Sequence, residues 1–219
     1  MKRLLTITLA VLVMATASFA ATTATGTNTV SPTLQINATV QSAISLTLST
    51  GSAASIASHC TLGTASATDP NYTMSFGTVD ALGLSTPACG KSFGLTNTTP
   101  GATGNDAIYA TDYVLTPAFA GQLGGTTGTI KAYVSTNFTP TNLYVVYDTP
   151  NTGAVPADAL GGKFTAMPTT SGTAVTVASG AASGTGLTRL VGVGVMPTNG
   201  AGSSGVAGSA TVTYTLTIP

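Results

Sequence analysis

The chain has 219 residues, 43% of them hydrophobic and only 5% charged, with equal numbers of acidic and basic side chains, one histidine, two cysteines and no glutamate or tryptophan. So sparse a charge offers no basic stripe for phosphate and no acidic tail, which argues against nucleic acid or an anionic membrane as a partner. A single histidine also leaves little for acid–base chemistry, which needs a group titrating near neutrality or paired carboxylates. The chain is therefore expected not to be an enzyme and to need no cofactor.

Residues 1–20 read as a secretory signal peptide. Lys2 and Arg3 precede an apolar run over residues 4–14, interrupted only by Thr6 and Thr8, and small residues end at Ser18-Phe19-Ala20. The run is about half of the roughly 20 residues a membrane helix needs, so a transmembrane anchor is not expected. Removing residues 1–20 leaves Lys91, Lys131, Lys163 and Arg189 against Asp69, Asp80, Asp106, Asp112, Asp148 and Asp158. Four positive and six negative charges give the exported chain a net charge of −2. Its solubility comes from hydroxyls, because Thr and Ser stand where charges usually do.

Residues 21–32 form an N-terminal extension poor in large apolar groups, and residues 33–219 read as one β domain. No dozen-residue window sustains helical spacing, whereas period-2 alternation recurs along the chain. Leu34, Ile36, Ala38 and Val40 share one strand face, and Ile44, Leu46 and Leu48 continue it past Gln41-Ser42, which suggests one long strand over residues 33–48, bent or bulged near Ser42. Tyr72, Met74 and Phe76 alternate next, then Phe93 and Leu95 just past Cys89. Further strands are predicted over residues 109–115, 130–134, 143–147, 173–177, 187–195 and 211–218. The last places Val212, Tyr214, Leu216 and Ile218 on one face. Residues 148–172, with three prolines, read as an irregular connection that has room for short helical turns. Eight to ten short strands in about 200 residues predict an all-β fold, a single immunoglobulin-like Greek-key β-sandwich, with a barrel or jelly roll as the other arrangement.

An even cysteine count in an exported chain predicts a Cys60–Cys89 disulfide, worth roughly 3–4 kcal/mol by the chain-entropy argument for a loop of about 30 residues. The spacing is unlike a redox Cys-x-x-Cys pair. His59 reads as a structural loop histidine, since a cysteine hydrolase would need a free thiol beside it. His59, Cys60 and Cys89 are too few for zinc once the cysteines pair. The oxygen-rich segments Asp69-Pro70-Asn71 and Asn105-Asp106 are read as turns and not as calcium loops, so no metal is expected. Gly192 and Gly194 alternate with Val191, Val193 and Val195, leaving one strand face flat enough for a backbone or an aromatic ring to lie on it.

The order of these features carries a resemblance. The alternating strand from Leu34 to Leu48 is followed by Cys60, a Phe76-Gly77-Thr78-Val79 segment, Cys89 with a strand after it, and a closing Ala207-Gly208-Ser209-Ala210-Thr211-Val212-Thr213-Tyr214-Thr215-Leu216 stretch. This resembles the spore coat protein U family, the pilin-like domains of archaic chaperone–usher pili, although Ala210 and Val212 stand where that family carries Tyr and Asp. The resemblance implies an incomplete pilin-type sandwich, lacking one strand, whose groove is filled first by a periplasmic chaperone and then by the N-terminal extension of the next subunit. It also implies delivery through an outer-membrane usher to a surface fibre that serves in adhesion or surface coating. Its partners would be copies of itself or related pilin subunits. Candidate donor residues are Ala24, Val30, Leu34 and Ile36, with the register either extending into the last two or the domain complete by itself. A secreted binding module, adhesin-like or carbohydrate-binding, is the alternative function, and exposed aromatics would be its cue.

Overall fold

The computed structural model describes residues 43–63, 71–96, 106–120, 126–139, 142–148, 152–154, 164–196 and 207–219. The chain divides into two units, Met1–Thr39 and Val40–Pro219, and every described residue belongs to the second. The signal peptide, the extension with Ala24 and Val30, and the strand start with Leu34 and Ile36 lie outside the described residues, as do Asp69-Pro70 and Asn105.

Among the described residues nine strands form two antiparallel sheets, giving an all-β, sandwich-like fold. In chain order they are β1 (Ala43–Thr50), β2 (Lys91–Thr96), β3 (Asp106–Ala120), β4 (Thr127–Thr136), β5 (Leu143–Asp148), β6 (Phe164–Ala166), β7 (Val175–Ala182), β8 (Leu187–Val195) and β9 (Thr211–Thr217). The larger sheet runs β1-β3-β8-β5-β6, with β2 also paired to β3, and the smaller runs β7-β4-β9. β1 and β2 divide one flank of β3 between them. β2 takes its start, from Asp106 to Ala110, and β1 takes Tyr113 to Ala120.

β3 organises the interior because both its faces are covered. Tyr113 and Leu115 enter the core between the sheets with Ile130, Ala132 and Val134 of β4, Val145 of β5 and Val177 of β7. The even-numbered Ile108 and Ala110 face the opposite way, into a second cluster with Ile56, Phe93, Val146, Phe164 and Leu190. From Asp106 to Tyr113 every residue is buried and strict alternation is lost, whereas buried and less buried residues alternate after Val114, and the strand extends past the seven residues predicted at both ends. Pro117 is tolerated in it because the pairing with β8 ends at Leu115, so the missing N–H is not required there.

Tyr72, Met74 and Phe76 alternate half-buried with exposed neighbours but form no strand. The segment is tied at single points, Gly63 N–H to Thr73 O at 2.8 Å and Ala88 N–H to Phe76 O at 2.8 Å, and no ladder continues beside it among the described residues. The expected irregular connection after Asp148 contains β6 and a 3₁₀ turn at Ser171–Thr173.

The glycine pattern in β8 has the effect its sequence suggests. A Cβ at Gly194 would stand 2.2 Å from Cζ of Tyr144, and one at Gly192 would stand 2.3 Å from the carbonyl oxygen of Tyr109. The bare backbone at Gly194 lets the Tyr144 ring cross β8, and its hydroxyl donates to Oδ2 of buried Asp106 at 2.7 Å.

Candidate functional site

The two edges of the smaller sheet are built differently. On β7, Lys131 pairs with Thr176 and Ile130 with Ala178, so Val177 is an extra residue, a bulge. The Val177 carbonyl accepts Nε of Arg189 at 2.6 Å, and Nη1 of the same side chain donates to Thr188 O at 2.6 Å. A second register shift lies near Gly180, whose φ is +66°. Bulges and a buttressing cation twist and occupy an edge, the usual protection against pairing with another chain.

β9 itself carries no extra residue, and the one register shift in its pairing, between Val134 and Thr136, puts the extra residue, Ser135, on β4. β9 pairs with β4 in continuous register from Thr217 to Val212, and among the described residues no strand lies on its other side. One of its faces is a column of threonines, Thr211, Thr213, Thr215 and Thr217. The other carries Val212, Tyr214 and Leu216, which are only half-buried although they pack on the central core. Tyr214 is anchored there, with its ring 5.9 Å from that of Tyr113 and its hydroxyl donating to the Tyr113 hydroxyl at 2.9 Å. Burial pushes the Tyr113 phenol well above its ordinary range and holds that of Tyr214 up at about 12. Both are neutral packing groups at physiological pH.

β1 closes the larger sheet and is the least buried strand along its length. Leu46 and Leu48 reach the same central core and remain half-buried, while Ile44, next on that face, is 51% exposed. The first and last described strands therefore present half-covered apolar rows to one core, and each has an unpaired outer edge among the described residues. Of the predicted site residues, the structure sets Val212, Tyr214 and Leu216 on this open edge, with Ile218 just beyond the end of the strand.

Cys60 and Cys89 are joined by a disulfide, with Cα atoms 4.8 Å apart. It fastens the loop after β1 to the start of β2. Cys60 N–H donates to Thr111 Oγ1 at 3.1 Å, and Gly90 N–H donates to Ser58 O at 2.5 Å. Gly90 has φ +79°, and a Cβ there would meet the Ala110 carbonyl at 2.7 Å. A glycine is needed at that point.

Two structural centres were not legible as such in the sequence. His59 Nδ1 contacts the buried carboxylate of Asp112, and Asp80 gathers its own loop. The Asp80 carboxylate accepts Leu82 N–H at 2.6 Å, Leu84 N–H at 3.2 Å, and both the amide and the hydroxyl of Ser85. Partial burial would raise its pKa, but these donors outweigh that and hold it at about 2. An Asp followed within five residues by Gly and Ser is the only sequence cue to this turn. Among the described residues no group of three or more His, Cys or carboxylate side chains sits together as a metal site, and no helix is long and apolar enough to cross a membrane.

In comparisons with protein-family models, curated proteins and solved structures, nothing matches this chain.

Proposed function

We propose that this chain is a structural subunit of an extracellular fibre assembled by β-strand complementation. The observation that supports this most is the contrast between edges: β7 carries extra residues and is buttressed by Arg189, whereas β9 carries none and is unpaired on one side among the described residues, beside half-covered Val212, Tyr214 and Leu216. An added strand would satisfy the free N–H and C=O groups of β9. Its alternate side chains would complete the core between β9 and the Leu46–Leu48 row of β1, where full burial of each aliphatic group is worth about 1.5–3 kcal/mol.

In this reading the added strand comes from residues 21–36 of another copy, with Ala24, Val30, Leu34 and Ile36 as the inward-facing set. Before assembly a periplasmic chaperone occupies the same edge, and an outer-membrane usher passes the subunit to the cell surface, where the fibre serves adhesion or coating. A carbohydrate-binding module fits less well, because every aromatic side chain among the described residues is buried or half-buried and none offers an exposed platform.

The test is the secreted full-length protein on unboiled detergent gels and under the electron microscope. A ladder and filaments that disappear when residues 21–36 are deleted, and a monomer of raised melting temperature when a peptide of that sequence is fused after Pro219 of the deleted protein, support strand complementation. A protein that stays a monomer at high concentration, with or without the deletion, rejects it.

A further inference from the structure

Residues 71–88, between the two cysteines, belong to no strand, yet they cover one end of the larger sheet. Ala107, Tyr109, Val193 and Val195 form a buried cluster where β3 begins and β8 ends. Of the five half-buried apolar side chains packed on it, Phe76, Val79 and Ala81 come from this segment, and Phe138 and Leu143 are the other two. The central core does without the segment: none of its fully buried members lies between residues 51 and 90, and of residues 71–88 only half-buried Met74 reaches it.

The segment is tied to the strands through side chains. Asp80 N–H donates to the Tyr109 hydroxyl at 3.2 Å, and that hydroxyl donates to Asp80 O at 3.1 Å. Ser92 Oγ donates to Gly83 O at 2.7 Å. Such bonds are each worth little net, because water replaces them when they open. The neck is held differently. Cys60 N–H on Thr111 and Gly90 against the Ala110 carbonyl place both cysteines beside the middle of β3. Asp112 holds Ala53 and His59 separately, ahead of the first cysteine.

We propose that the Cys60–Cys89 bond is a redox latch. Its reduction releases residues 71–88 from the Tyr109 cluster and bares that apolar patch, while both sheets and the Asp112-held residues 53–59 stay folded. The reductant is a thiol, free or on a protein. Its thiolate attacks Sγ of Cys89, because Cys89 keeps 9% exposure and Cys60 has none. Cys60 leaves as a thiolate, and a second thiolate then frees Cys89 from the mixed disulfide. Two reductant thiols become one disulfide and the two cysteines end as thiols. Covalent closure across a separation of 29 residues favours the closed state by roughly a hundredfold or more in the chain-entropy argument, and reduction removes that advantage. In an exported chain the latch closes only after export, since thiols stay reduced in the cytoplasm.

Hydrogen exchange read by mass spectrometry tests the latch on the full-length protein, oxidised and then reduced without denaturant. Expected on reduction are exchange about a hundredfold faster at Leu82, Leu84, Ser85 and Ala88, unchanged exchange in β4 and β8, and a rise in the fluorescence of an apolar dye. Reoxidation should reverse all three. The Cys60→Ser, Cys89→Ser double variant should show the reduced pattern, and it supplies that state where the folded protein resists reduction. Segment amides that keep their protection without the disulfide overturn the latch, since packing alone then holds the cover. Equal acceleration in β4 and β8 overturns it too, because the disulfide then supports the whole fold.

Discussion

The imidazole Nδ1 of His59 lies 2.6 Å from Oδ1 of Asp112, whose side chain is fully buried while that of His59 keeps 25% exposure. The other carboxylate oxygen of Asp112 accepts Ala53 N–H at 2.7 Å. One acid under the loop after β1 thus secures both ends of that loop to β3, next to the disulfide. Removing it strands a buried amide and an imidazole, so Asp112→Ala should cost about 3 kcal/mol. His59→Ala, at the partly exposed end, should cost about 1 kcal/mol. Urea unfolding of both variants and of the double variant checks this, with the double expected to fall short of the sum because the two share one interaction. Equal losses from the two single variants would contradict the assignment of Asp112 as the anchor.

Gly194 and Tyr144 give a sharper test of packing. Gly194→Ala puts a methyl where the ring lies and should cost about 2–3 kcal/mol, as overpacked sites do. In a Tyr144→Ala background the same substitution has no ring to meet and should be nearly neutral. Thermal unfolding of the four proteins of this cycle measures the coupling directly.

Arg189 is predicted to act on association more than on stability. Arg189→Met keeps the aliphatic stem and removes the donors to Val177 O and Thr188 O, a loss of about 1–2 kcal/mol. It also leaves the β7 edge unguarded, so light scattering on concentrated protein should detect aggregates that the wild type does not form. Unchanged scattering would show that the bulges alone protect β7.

Two pH effects follow from the shifted groups. The Asp80 carboxyl is depressed to about 2, so the folded loop favours its ionised form. That contribution is complete above the ordinary aspartate value of about 4 and fades as pH falls toward 2. Amide exchange at Leu82, Leu84 and Ser85 should therefore stay protected at mildly acidic pH and be lost only near the lower limit. Tyr113 and Tyr214 are shifted upward; their neutral forms favour the fold, and that stability is lost as pH rises past about 10. A phenolate absorbance titration should show Tyr113 and Tyr214 ionising only near the alkaline unfolding transition.

The sequence disclosed pattern better than pairing. The 187–195 strand was legible to the residue and the last strand, predicted over 211–218 and found over Thr211–Thr217, to within one residue, because their alternation is clean, and β8 even announced its flat glycine face. Tyr72, Met74 and Phe76 alternate just as cleanly yet make no ladder, since period 2 reports which side chains are covered and says nothing about a neighbouring backbone. β3 was underestimated for the opposite reason: over Asp106–Tyr113 both faces are buried, so Asp106 and Asp112 read as breaks although the strand runs through them. At the open edge the β9 residues were readable in advance, but the guard on β7 was not. Arg189 looks like a lone cation in an apolar strand, and only the bulge at Val177 explains what it reaches. Asp112 and Asp80 are one-residue anchors whose partners lie up to 59 positions away or in the next turn, and neither leaves a pattern.

The disulfide has a mechanical consequence. A pulling force on the two ends of the chain can unfold its strands. When it does, the 29-residue span between Cys60 and Cys89 stays closed and withholds roughly 100 Å of contour length. Reduction would release that reserve, so a single covalent bond limits how far the chain can stretch under load.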